Sequence, residues 1–235
     1  MRGTPTNPWQ INVDDLARDL DAVVASGRIV QTATDLDAAL RSLPVSEWPR
    51  CAVTFDDGYA SFVDLALPLM LDRGLPVTLY VTTGQLDTPG MMSASAVRDI
   101  AGPRVEIGAH SVHHPHLDLV PDAEARAEIQ GSRDWVAELL GAEPPGFAYP
   151  HGSFHRRVRD AVRECGFTNA YAVKNALSTS DDDPYARARL TVLADTDRSR
   201  VQRWLSGRGA PRSWRGERLR TRAYRHVRAA RMRRS

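Results

Sequence analysis

Apolar and polar positions along this chain alternate between two periods. In "NVDDLARDLDAVVASG", Val13, Leu16, Leu20, Val23 and Val24 recur at helical spacing, with acids in the first turn and Gly27 as the stop. The short "RIV" reads as a strand, "ATDLDAALRSLP" as a second helix, and "RCAVTF" as a buried strand. "SFVDLALPLMLDRG" has the period of a helix that ends at Gly74, but Pro68 lies inside it and predicts a bend or local break. After it, "LPVTLYV" predicts a strand, "SASAVRDIAG" a helix capped by Ser93, "RVEIG" a strand and "AEARAEIQGSRDWVAELLG" a long helix closed by Gly141. "GFAYP", "HRRVRDAVRECG", "TNAYAV", "RLTVL" and "DRSRVQRWLSG" continue as strand, helix, strand, strand and helix. This alternation predicts parallel strands joined by helical crossovers. About seven strands, a count suited to a barrel or an open doubly wound sheet, can be drawn, and no internal repeat is visible. Two long connections, 84–92 and 108–121, follow strands, where α/β folds carry chemistry.

Composition supports an ordinary globular body. Of the 235 residues, 42% are hydrophobic and 26% charged, enough for a core without staples. Cys51 and Cys165 are far apart and form no CxxC pair, which excludes a disulfide framework and a cysteine zinc site and casts both as small apolar residues. No apolar run reaches the roughly 18 residues of a membrane span, and "MRGTPTNPWQINVDD" has no signal-peptide core, so a cytoplasmic protein is expected. The net charge of +2 conceals an asymmetry. From Arg198 onward there are fourteen arginines against one acid, Glu217, leaving residues 1–197 at −11. Lys174 is the only lysine. The expected organisation is therefore a body over residues 1–207 and an arginine-rich tail over 208–235, flexible or helical on a partner. The tail suits an anionic membrane surface or an acidic polymer. No specific nucleic-acid recognition is expected, since no motif accompanies the charge.

The candidate chemistry sits at strand ends. "VTFDDGYASF" places adjacent carboxylates, Asp56 and Asp57, after an apolar strand, with Gly58 free to turn tightly. "RVEIGAHSVHHPHLDL" packs His110, His113, His114 and His116 into seven residues, from seven histidines in the chain. Alone, DDG reads as a turn or helix cap, and a histidine cluster as a surface loop. Together, each after its own strand, they predict a metal site. Two imidazoles four apart and one carboxylate make a three-ligand set with open positions. Whichever aspartate is not a ligand can then take a proton from water acidified by the ion. "GFAYPHGSF" adds Pro150, His151 and Gly152 at a third strand end, as a simple turn or as a rim loop whose N–H faces an oxyanion.

The segments "TFDDGY", "HSVHH" and "FAYPHG", in this order, resemble the three signature segments of the polysaccharide deacetylase family, carbohydrate esterase family 4. The flanking "LPVTLYVTTGQL", "MMSASAVRDI" and "AEIQGSRDWVAELLG" fit as well, so the resemblance covers roughly residues 11–205. It implies a distorted (β/α)7 TIM-like barrel and a metal-dependent hydrolase that removes N-acetyl groups from an N-acetylated sugar or polysaccharide. By matched position, Asp56 resembles the catalytic base, and Asp57, His110 and His114 the metal ligands. Ser111 matches the residue that steadies the loop, and Tyr149, Pro150 and Gly58 are supporting positions. His151 stands where the family has tyrosine and would offer its backbone N–H to the oxyanion. Zinc suits this donor set first, with cobalt, nickel and manganese as alternatives.

Three departures from the pattern bear on the expectation. The late histidine that serves the family as general acid is absent; after His155 only His226 remains, in the tail, and His151, His113 and His116 are candidates that the sequence does not rank. The arginine that braces the catalytic aspartate is missing from "PPGFAYPHG"; Arg187 or Arg189, in "YARARL", could replace it. An initial strand carrying "YH" is also missing, so either the barrel lacks a strand or the start site is misassigned. The alternatives are a catalytically impaired glycan-binding barrel, and an amide or imide hydrolase acting on a non-sugar substrate.

Overall fold

A computed structural model describes residues 7–42 and 49–213. The arginine-rich sequence after Ser213, including His226, lies outside the described residues. The first helix, α1 (Val13–Ala25), starts at Asn12, whose side chain accepts from the Asp14 N–H. β1 (Ile29–Val30), α2 (Ala33–Ser42) and β2 (Arg50–Cys51) follow, and β1 pairs with β2 in parallel. Six further strands form one parallel sheet in chain order. These are β3 (Thr54–Asp57), β4 (Val77–Val81), β5 (Val105–Ala109), β6 (Gly146–Ala148), β7 (Asn169–Val173) and β8 (Arg187–Arg189). The helices are α3 (Leu67–Asp72), α4 (Ala94–Ile100), α5 (Asp122–Leu140), α6 (Arg156–Glu164) and α7 (Arg198–Leu205). The architecture is an α/β fold with a curled six-strand half-barrel, consistent with the distorted barrel expected.

Two strands differ from expectation. "RCAVTF" is not one buried strand; it breaks at Ala52 and Val53 into β2 and β3, and both halves are only partly buried. Its first half pairs with β1 and its second with β4, so one continuous ladder is not needed. The last strand is not "RLTVL" but the preceding "RAR". An apolar-run criterion passes over it because two of its three side chains are arginines whose charges are paired inside the fold. Pro68 breaks its helix as expected: Phe62–Ala66 forms a π-helical turn, with the Leu67 N–H bonding to the Phe62 carbonyl, before α3 begins. Both cysteines are free, Cys51 in β2 and Cys165 buried at the end of α6.

Alternation along the strands separates two environments. Val77, Leu79 and Val81 of β4 join Leu67, Met70, Val97 and Val136 in the larger apolar core beneath the helices. The opposite face is polar. Thr78 bonds Glu106 at 3.0 Å and accepts from the Ala33 N–H at the start of α2. Tyr171 donates to the Ala33 carbonyl, 2.5 Å away. Gly108 makes room for Tyr80, since a Cβ there would lie 2.4 Å from the Tyr80 ring. Arg187, fully buried, donates to Asp37 of α2 at 2.7 Å and to the Thr179 carbonyl at 2.8 Å. The two outermost strands, β3 and β8, meet through side chains. Arg189 reaches across to Thr54 and Asp56, which are two apart and share a face of β3.

Candidate metal centre

Each site residue stands at or just beyond the C-terminal end of a parallel strand, the end where α/β barrels place their chemistry. Asp56 and Asp57 finish β3, His110 follows β5, and Pro150–Gly152 forms a single 3-10 turn after β6. The chain turns sharply at each point. Asp57, Ser111, His114 and His151 all have positive φ, at 75°, 66°, 61° and 58°. A short polar side chain tolerates this region better than most, but it stays strained for L-residues, and the strain collects where three loops converge. Gly58 continues the first turn at φ 93°.

The turns bring three donors together. Asp57 Oδ1 lies 3.6 Å from His110 Nε2 and 3.4 Å from His114 Nε2, and the two Nε2 atoms are 3.2 Å apart. Ligand bonds of about 2.0–2.1 Å in tetrahedral array separate donor atoms by about 3.3 Å, so these spacings fit a divalent ion. His110 is buried, and its Nδ1 lies 2.7 Å from the Ala148 carbonyl. That contact puts the proton on Nδ1 and directs the Nε2 lone pair at Asp57 and His114. Ser111, wholly buried, accepts the His114 N–H through its hydroxyl at 2.9 Å, closing the loop between the two imidazoles.

Asp56 stands beside the trio, its Oδ2 3.9 Å from His110 Nε2. Both its oxygens are held by Arg189, at 2.7 Å each, in a bidentate fork. Burial pushes the Asp56 carboxyl up, but the Arg189 guanidinium and the adjacent imidazoles outweigh it and hold the group below the usual carboxylate range. Asp57 goes the other way: burial raises it, with a further push from Asp56, against the pull of His110. A bound cation reverses that tendency by stabilising the anion. Burial also lowers both imidazoles, His110 and His114, which favours the neutral form that ligates metal.

The other candidates sort by position. Arg189, not Arg187, reaches Asp56, since Arg187 is spent on Asp37 further down β8. His113 points away from the trio, its Nδ1 2.7 Å from Glu128. His151 is exposed, its ring 4.4 Å from that of His114 and stacked at 3.7 Å on His116. Tyr149 turns into the second apolar core, where it donates to the Tyr185 carbonyl at 2.8 Å; Pro150 is buried. Two participants have no sequence signature of their own: Ala148, which acts through its carbonyl, and Glu128. The one sign of Glu128 is an acid on the buried stripe of α5, beside Ala125, Ile129, Ser132 and Val136.

Comparison with known proteins finds relatives in both sequence and structure. The polysaccharide deacetylase family matches residues 46–170, more than half of the chain. YxkH of Bacillus subtilis (strain 168) is 21% identical over 165 residues, covering 69% of this chain and 59% of its own. Chitin deacetylase 1 of Cryptococcus neoformans is 24% identical over 164 residues, covering 68% of this chain and 33% of its own. The chain thus spans less than two thirds of these relatives' lengths. Among solved structures, the Streptococcus pyogenes deacetylase PplD in complex with acetate superposes with a TM-score of 0.76 at 17% identity, over 84% of this chain and 88% of that one. IcaB from Ammonifex degensii gives 0.73 at 22%, over 87% and 93%. At these identities the likeness establishes the fold.

Proposed function

The chain belongs to the polysaccharide deacetylase family, and from that premise we propose that it is a metal-dependent hydrolase that releases acetate from an N-acetylated sugar or polysaccharide. The observation that carries this reading is the convergence of Asp57, His110 and His114 within 4.8 Å, with the arginine-held Asp56 at their edge. Asp57, His110 and His114 would hold the ion, and zinc is the ion proposed for two imidazoles and a carboxylate. The ion would supply Lewis acidity toward the acetyl carbonyl and toward water. Asp56 is the general base. Its fork with Arg189 keeps it ionised and fixes the direction of its oxygens. His151 serves twice: its backbone N–H faces the developing oxyanion, and its imidazole protonates the leaving amine. Its exposure and its ring contact with His114 favour it over His113, which is turned to Glu128, and over the less exposed His116, on which it stacks.

Arg189 also bears on the impaired-barrel reading. The bracing arginine absent from the third segment is supplied by β8, so that absence no longer argues for loss of catalysis. The test is acetate release from chitin oligosaccharides and peptidoglycan fragments by zinc-loaded protein, alongside Asp56→Asn. Turnover that falls by about 10²–10⁴ in the variant, with zinc retained, is expected. No acetate from any N-acetylated glycan, with zinc bound and the fold intact, overturns the proposal.

A further inference from the structure

The loop that carries both histidine ligands lies against α5, and the contact is built from residues that the chemistry above does not use. Glu128 Oε2 accepts the backbone N–H groups of Val112 and His113, at 3.0 and 2.8 Å. Its Oε1 lies 2.7 Å from His113 Nδ1. Glu128 is buried, at 8% exposure, and all the partners found for its carboxylate belong to the loop. One turn along the same helix face is Gly131. A Cβ there would lie 3.1 Å from Val112 Cγ2, so a glycine that weakens a helix interior makes room for the loop. On the other side, the Thr83 and Gly84 N–H groups bond to the Ser111 and Val112 carbonyls, at 3.2 and 2.8 Å. The segment between His110 and His114 is thereby gripped from two sides. It also contains two left-handed residues, Ser111 and His114, whose strain must be opposed by such contacts.

We propose that Glu128 is a positioning residue for the metal: it holds Val112 and His113 so that His110 and His114 present their Nε2 atoms at ligand spacing. It touches neither metal nor substrate and acts through the loop backbone. The proposal rests on the metal-site reading of Asp57, His110 and His114. Two substitutions separate the possibilities. Glu128→Gln keeps one accepting oxygen for the two N–H groups, whereas Glu128→Leu removes both at similar volume. The measurements are zinc Kd by competition with a chromophoric chelator, the visible spectrum of cobalt-loaded protein, and thermal unfolding of the metal-free form. Zinc affinity should fall about tenfold in the glutamine variant and toward a hundredfold in the leucine variant, as for lost outer-sphere partners. The cobalt bands should change shape in both, with partial rescue by glutamine, a response that a loss of general stability would not produce. Folded variants with zinc affinity within about twofold of wild type and an unchanged cobalt spectrum overturn the role of Glu128; if the leucine variant does not fold, the glutamine variant decides. A folded wild type that binds no zinc overturns the metal-site reading and this inference with it.

Discussion

Asp56 holds its charge among buried neighbours because Arg189 contacts both of its oxygens. Replacing Arg189 by Leu leaves that carboxylate without its fork, and burial then raises its pKa. A base works only when deprotonated, so the acid limb of kcat/KM should move to higher pH in Arg189→Leu; an unmoved limb in an active variant would count against Asp56 as base. Lysine should rescue poorly, since a point charge cannot reproduce two parallel bonds. The imidazoles give a second pH effect. His110 and His114 are lowered from 6.5, so between their folded and unfolded values the unfolded chain binds more protons, and stability rises with pH. The metal-free protein should therefore lose Tm as pH falls through about 6.5, and a His110→Ala, His114→Ala double variant should show a flatter profile.

At the scale of elements, glycines and buried ion pairs decide where strands and helices can meet. Gly152 combines φ 65° with contact to β7: a Cβ would come within 2.2 Å of Val173 Cβ. Gly152→Ala should lower stability by about 1–3 kcal/mol through overpacking, before any strain is counted, and should move the His151 turn. Denaturant titration reads the first effect. The Arg187–Asp37 pair ties β8 to α2 with both side chains essentially excluded from water. Asp37→Ala strands a buried guanidinium and should cost about 3–5 kcal/mol. Replacing both residues by apolar ones should cost much less, which a double-mutant cycle by chemical denaturation will show.

For the whole molecule, an ion held by Asp57, His110 and His114 would link two separate loops, so its binding would be coupled to stability. Loading at a hundred times Kd should stabilise the folded chain by about 2.7 kcal/mol, and elemental analysis should find one ion per chain, lost in the double histidine variant. A Tm unchanged by excess zinc would mean that the loops do not share an ion. Among the described residues no helix is long and apolar enough to cross a membrane.

The sequence by itself determined most of the elements and the candidate ligand types. Apolar spacing, caps such as Asn12 and Ser93, and the glycine stops are local, so α1, α4 and α5 could be read from neighbours a few residues apart. The aspartate pair and the His110/His114 spacing were legible as a candidate ligand set because their place after apolar strands is also a local pattern, while the choice of Asp57 over Asp56 came from the family resemblance. Tertiary structure alone decided the partners. Arg187 and Arg189 are the same residue type two positions apart, and only the curl of the sheet sends one to Asp37, 150 residues away, and the other to Asp56, 133 away. The same curl hid β8 from an apolar criterion, since its buried face carries charges neutralised across the fold. It also turned His113 to Glu128 and set the His151 ring edge-on to His114 and stacked on His116, choices made by backbone dihedrals and packing that composition does not encode.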